Sequence, residues 1–250
     1  MSLDPQSPYA TPTAALDERV DQNQALSIEA ALARGYDFSI GDILREASSH
    51  IDGVKGILVV GFIVYMAVIG GLNFLFNAIL DDLLALDILP PYVIGALSGA
   101  LIAGVVSPLR AGINMLGIRR AAYQPVSINE MFSHFGLFIP LLLTNLLMAV
   151  LINLGLTLLI IPGIYLWIAY SLAIPLAVER KLSPWQALEA SRKAVTQRWF
   201  KIFGLYLMLG LMFLVASIPM GIGLIWAWPT TVVAIGILYR TIFGVLPVDN

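Results

Sequence analysis

The sequence predicts an all-α polytopic membrane protein with six transmembrane helices arranged as three hairpins, each hairpin preceded by a cytoplasmic amphipathic helix. Three observations carry this: composition, the sidedness of the basic residues, and a recurring serine-capped segment. Of 250 residues, 59% are hydrophobic and only 12% charged, against about 25% charged in soluble chains. Apolar runs near twenty residues recur, long enough to cross a hydrocarbon core of roughly 30 Å. Cysteine is absent, which excludes disulfides, thiolate chemistry and cysteine-held metals.

Residues 1–35 form a polar, acidic segment expected to be a disordered cytoplasmic tail, and 36–250 a six-helix membrane domain. Ala25 to Arg34 can form a short helix within that tail. Ser39-Ile40-Gly41-Asp42 opens the first amphipathic helix, with Asp42 at the capping-box position and Ile40, Ile43, Leu44, Ala47 and Ile51 on one face. Span 1 covers about 57–80 and stops at Asp81-Asp82. Span 2 covers about 92–118, entered through Pro90-Pro91 and interrupted at Pro108. Ser127-Ile128-Asn129-Glu130 is a second capping box. Span 3 covers 136–161 and turns at Pro162-Gly163 into span 4, about 163–178. Ser183-Pro184-Trp185-Gln186 then starts a basic helix expected to lie flat on the membrane, with Leu188, Val195 and Trp199 on one face. Spans 5 and 6 cover about 202–218 and 224–243, joined by a turn holding Pro219, Gly221 and Gly223.

The positive-inside rule orients these spans. The segments joining spans 1 and 2, 3 and 4, and 5 and 6 contain no Lys or Arg, and all 14 basic residues fall on the other side. Both termini are therefore expected in the cytoplasm. Trp185 and Trp199 suit the inner interface, Trp226 and Trp228 the outer one. The same order of serine box and hairpin recurs three times, which predicts parallel structural repeats.

The chain offers few groups for chemistry. Gly95, Gly99, Ala103, Ser107 and Ala111 recur at intervals of four in span 2, a small-residue stripe suited to helix packing against this chain or another subunit. Asn73 and Asn77 in span 1, and Asn145 and Asn153 in span 3, are intramembrane polar groups; interhelical hydrogen bonding is favoured for them over a polar path. His50 and His134 lack partners at metal-ligand spacing, and no serine sits in a nucleophile motif. No metal, cofactor or catalytic residue is expected. The basic helix is the most suggestive surface. Arg180, Lys181, Arg192, Lys193, Arg198 and Lys201, with Trp185 and Trp199, are candidate contacts for anionic lipid or a partner protein. Residues 1–56 hold nine acids and four bases, so that segment is expected to fold over the basic helix and compete with lipid.

The stretches Tyr36 to Leu44, Ser107-Pro108-Leu109-Arg110-Ala111-Gly112, and Pro162-Gly163-Ile164-Tyr165-Leu166 through Ser191-Arg192 resemble a bacterial family of uncharacterised six-span inner-membrane proteins, the YciC-like group. That group is similar to the membrane regions of some glycerophosphodiester phosphodiesterases. The resemblance implies a six-span fold in a bacterial inner membrane and supplies no activity or functional residues. The expected function is a non-enzymatic inner-membrane protein that organises lipid or partner proteins through its interfacial helices. The alternative is a transporter or passive channel for a small solute, alone or as an oligomer. Expected partners are membrane lipid, anionic headgroups foremost, a second copy or another membrane protein, and no nucleic acid.

Overall fold

The structure, a computed structural model, describes residues 25–79 and 90–247 in full and the backbone of 80–85. Residues 1–24, expected to be disordered, and the side chains of Asp81, Asp82 and Asp87 lie outside the described residues. Every described element is helical. Five helices are long and apolar enough to cross a membrane, or six if a bent pair counts as one span.

The first two helices are short. α1 (Ile28–Arg34) starts where the Ser27 hydroxyl accepts from the Ala30 N–H at 3.1 Å, and it ends at Gly35, whose φ of 65° suits glycine. α2 (Ile40–His50) buries Ile43 and Ala47. Its expected capping box does not form: Ser39 makes no side-chain cap bond, and Asp42 pairs with Arg45 at 3.3 Å instead. α3 (Lys55–Ala85) is one unbroken apolar helix of 31 residues.

Span 2 is broken as Pro108 requires. α4 (Pro91–Val105) and α5 (Ser107–Ala121) meet at a 56° bend. Pro108 has no N–H to give the Gly104 carbonyl, and the Ser107 hydroxyl donates to that oxygen at 2.5 Å. After α5 come two 3₁₀ turns, Ile128–Phe132 and Phe135–Leu137. The second expected capping box is also missing. Ser127 makes no cap bond, and Glu130 turns to Arg119 at 2.6 Å.

α6 (Phe138–Leu158) reverses into α7 (Ile160–Ala169) at Leu159, the extended residue with φ −158° and ψ 136°. This corrects the expected turn at Pro162-Gly163. Pro162 lies in the first turn of α7, where its missing N–H has no intrahelical partner to lose. Gly163 is where the two helices touch: a Cβ there would fall 2.4 Å from the Leu156 side chain, and one on Gly155 only 3.1 Å from the Gly163 backbone. α8 (Ala173–Glu179) continues the same span after a break at 170–172, and α9 (Pro184–Thr196), α10 (Trp199–Ser217) and α11 (Leu224–Phe243) complete the chain. The span from Ile160 to Glu179 has 20 residues, about 30 Å at 1.5 Å each, so it is not the short span that starting at Gly163 suggested.

The core is built on α5 and α11, which pack more extensively than any other pair. They cross with backbones in contact. A Cβ on Gly236 would lie 2.3 Å from the Gly117 carbonyl oxygen, and one on Gly117 would lie 2.4 Å from that of Val232. In its most apolar stretch α11 is 67% buried by protein, whereas α3 is 11% and the spans through α6 and α10 are 17%. The peripheral helices therefore leave apolar side chains such as Phe74, Val150 and Leu214 exposed, the surface that lipid would cover.

Candidate functional site

The basic helix α9 begins as its sequence dictates. Gln186 Oε1 accepts from the Ser183 N–H at 3.2 Å and from its hydroxyl at 2.9 Å, and Pro184 occupies the first helical position. From there α9 runs back antiparallel to α8 and the end of α7. It buries Ala187, Leu188, Ala190, Ser191, Ala194 and Val195. The small side chains on this face admit close packing, so α9 offers it to protein and leaves Trp185, Gln186, Lys193 and Gln197 outside.

One hydroxyl explains why α9 docks there. The break between α7 and α8 takes the Leu172 N–H and the Ala169 carbonyl out of the helical ladder. Fully buried Ser191 accepts from the Leu172 N–H at 3.2 Å and donates to the Ala169 oxygen at 2.7 Å. A single side chain thus satisfies both open backbone groups. At the far end of α9, the Tyr165 hydroxyl meets Thr196 Oγ1 at 2.6 Å, and that threonine in turn donates to the Arg192 carbonyl.

The C-terminal end of α11 is a hub for charged side chains. Arg240, 6% exposed, donates to Glu46 at 2.8 Å and to the Ala121 carbonyl. Glu179 accepts from the Tyr239 hydroxyl, from Arg180 Nε at 3.1 Å and from the Leu246 N–H at 2.7 Å. Arg180 also donates to the Leu26 carbonyl at 2.8 Å and that of Phe243 at 2.9 Å. Arg180 was a candidate lipid contact; its guanidinium instead fastens the two ends of the described chain. Beside this knot lies a cavity of about 440 Å³ lined by Arg119, Gln124, His134, Glu179, Arg180 and Lys181 among others.

The segment from Leu26 to Phe38 lies as a strap along α9 and the start of α10. The Leu32 carbonyl accepts from Gln197 at 2.9 Å, and Tyr36 donates its hydroxyl to the Ala194 carbonyl at 2.9 Å. Burial raises the Tyr36 phenol well above its ordinary value. Asp37 Oδ1 meets Lys201 at 2.5 Å and Arg198 at 3.5 Å. The Lys201 hydrogen bond first, then the Phe38 backbone, holds the Asp37 carboxyl below its ordinary value. Arg192 forks onto Glu189 with contacts of 2.8 and 2.9 Å, which lowers the Glu189 carboxyl, and Lys193 reaches the same group at 3.5 Å.

A groove of about 770 Å³ opens beside this cluster, walled by Ile161, Ile164, Tyr165, Trp199, Phe200 and Phe203 and edged by Arg198 and Lys201. The Trp199 ring stacks on Phe203 at 5.2 Å and its indole N–H donates to the Tyr165 carbonyl at 3.3 Å. Ile161 is 80% exposed and Phe200 83% exposed, so no side chain among the described residues covers the groove's apolar rim.

The other candidate residues scatter. Gly95 and Gly99 have nothing within 4 Å of an added Cβ, and Ala103 is only half-buried, whereas Ser107 is buried at the bend. Close helix contacts within the chain fall instead at Gly104, Gly112, Gly117 and Gly236, where neither neighbouring helix was identifiable from a stripe of four. The asparagines do not bond between helices. Asn73, Asn145 and Asn153 each donate to the carbonyl four residues back, at 2.9, 3.0 and 2.8 Å, and Asn77 is exposed. Asn145 is 2% exposed and its Oδ1 has no partner. His134 lies 3.7 Å from Glu130, and His50 Nδ1 donates to the Glu46 carbonyl at 2.7 Å. Among the described residues no cluster suited to a metal ion occurs. Lys55 departs from the expected sidedness: its ammonium sits 3.7 Å over the Trp226 ring, a residue assigned to the opposite interface. A lysine stem spans far less than the roughly 30 Å of a hydrocarbon core, so the starts of α3 and α11 lie at one level, against the expected sidedness. Ser191 was missed, since its role depends on a break 20 residues away. No protein-family profile, curated protein or solved structure matches the chain.

Proposed function

We propose that this chain is a non-enzymatic multi-pass membrane protein that gathers anionic lipid along its basic helix and the start of α10. The carrying observation is a charge imbalance. Beyond the Arg180–Glu179 pair, five cations between Lys181 and Lys201 are served by two carboxylates, Glu189 and Asp37, and Lys181 is exposed. Each such cation near an anionic membrane surface contributes about 1 kcal/mol to lipid attraction. We place the Lys181 end of this face on the cytoplasmic side of a bacterial inner membrane, with both termini on that side. The consecutive long helices α3 and α4, α6 and α7, and α10 and α11 are in contact, which supports reading them as three hairpins.

Native mass spectrometry of the purified full chain tests this. Offered phosphatidylglycerol and phosphatidylcholine of matched acyl chains, the protein is expected to retain the anionic lipid preferentially. Equal retention of the two would overturn the reading.

A further inference from the structure

We propose that the groove at Trp199 holds an acyl chain of an anionic phospholipid whose phosphate replaces the Asp37 carboxylate between Arg198 and Lys201. This rests on the lipid-binding reading above and names the place and the competitor. The groove's volume of about 770 Å³ lies within the range of about 300–1,000 Å³ common for small-ligand sites. Its walls are apolar and aromatic, and its two cations stand at one edge. That division matches an amphiphile with one charged end.

Asp37 already demonstrates what that edge binds. One carboxylate oxygen draws Lys201 to 2.5 Å and Arg198 to 3.5 Å. The remaining strap contacts with these two cations are to backbone carbonyls, from Arg198 Nε to Tyr36 at 3.1 Å and from Lys201 Nζ to Phe38 at 3.3 Å. Only the Asp37 side chain therefore brings formal charge. A phosphodiester carries the same single charge and adds an acyl chain, so exchanging one for the other conserves charge while covering Ile161 and Phe200. Arg198 and Lys201 are 49% and 45% exposed, which leaves the headgroup a path in and makes their replacement tolerable to the fold. Tyr36, half-buried and bonded to the Ala194 carbonyl, keeps the strap beside the site after Asp37 lets go.

The test uses the full chain, native mass spectrometry, and the same phosphatidylglycerol and phosphatidylcholine pair. Asp37→Asn removes the internal competitor and is expected to raise phosphatidylglycerol occupancy about fivefold, the effect of one interfacial charge. Arg198→Gln with Lys201→Gln should abolish the preference for the anionic lipid, while Arg192→Gln with Lys193→Gln should leave most of it. Ile164→Trp, filling the groove, should lower retention of both lipids. If Asp37→Asn changes nothing, or the preference follows Arg192 and Lys193, this site is wrong although lipid gathering by the basic face survives. If wild type has no preference at all, both readings fall.

Discussion

Replacing Ser191 by alanine isolates the contact that holds α9 against the broken span. The hydroxyl is fully buried and makes two bonds, 2.7 Å to the Ala169 carbonyl and 3.2 Å from the Leu172 N–H. Alanine fits the space but leaves both backbone groups buried without partners. Each orphaned group costs about 1–3 kcal/mol, so the substitution should destabilise the protein by about 2–6 kcal/mol. At about 2–4 °C per kcal/mol for a chain of this size, the unfolding midpoint in detergent should fall by about 4–24 °C. Near-ultraviolet circular dichroism follows the loss of packing, with far-ultraviolet signal at low temperature checking that helix content is intact. Ser217→Ala is the comparator, because that exposed hydroxyl only bonds back to its own helix at Phe213. A Ser191→Ala midpoint no lower than that of Ser217→Ala would refute the clamp.

Gly236→Ala places a methyl against the Gly117 carbonyl oxygen, 2.3 Å from an ideal Cβ. It should cost about 1–3 kcal/mol through overpacking, whereas Gly99→Ala should shift the midpoint little; equal effects would sink the assigned crossing. Asn145→Leu removes a buried oxygen that has no partner and should raise the midpoint by about 2–4 °C for roughly 1 kcal/mol recovered; a lowered midpoint would mean the amide has a task there. Asp37 has a folded pKa held down by Lys201, so its contribution to strap docking is complete above its unfolded value near 3.9 and is lost as pH falls through the lower folded value. Protection from hydrogen exchange at 35–39, corrected for the intrinsic pH dependence of amide exchange, should therefore be unchanged from pH 7 to pH 5 and fall only below about pH 4. Lost protection between pH 7 and pH 5 would show that another group governs the strap.

Local chemistry made much of the helical content readable. Runs of apolar residues near twenty mark spans because lipid cannot hydrogen-bond an open backbone. Pro108 marked the bend in span 2 because a missing N–H is a property of one residue. Ser183 with Gln186 marked the start of α9 for the same reason. The similar pattern at Ser39 and Ser127 failed: Glu130 is drawn to Arg119, while Asp42, one carbon shorter than glutamate, lies exposed beside Arg45. The site was half legible. Arg198, Lys201 and Trp199 stand out as cations beside an indole, yet nothing local distinguishes them from Arg180, whose carbonyl partners Leu26 and Phe243 come from two distant segments.

Hydropathy and residue type, being sums over neighbours in sequence, determined on their own that this is a helical chain built for a membrane and where most helices start and stop. Tertiary structure decided which faces meet. The crossing of α5 on α11 at Gly117 and Gly236, the Ser191 clamp on α7 and α8, and the strap that sets Asp37 between two cations each join residues far apart in the chain. Such contacts depend on the distance between backbones in space, and no local pattern of side chains encodes that distance.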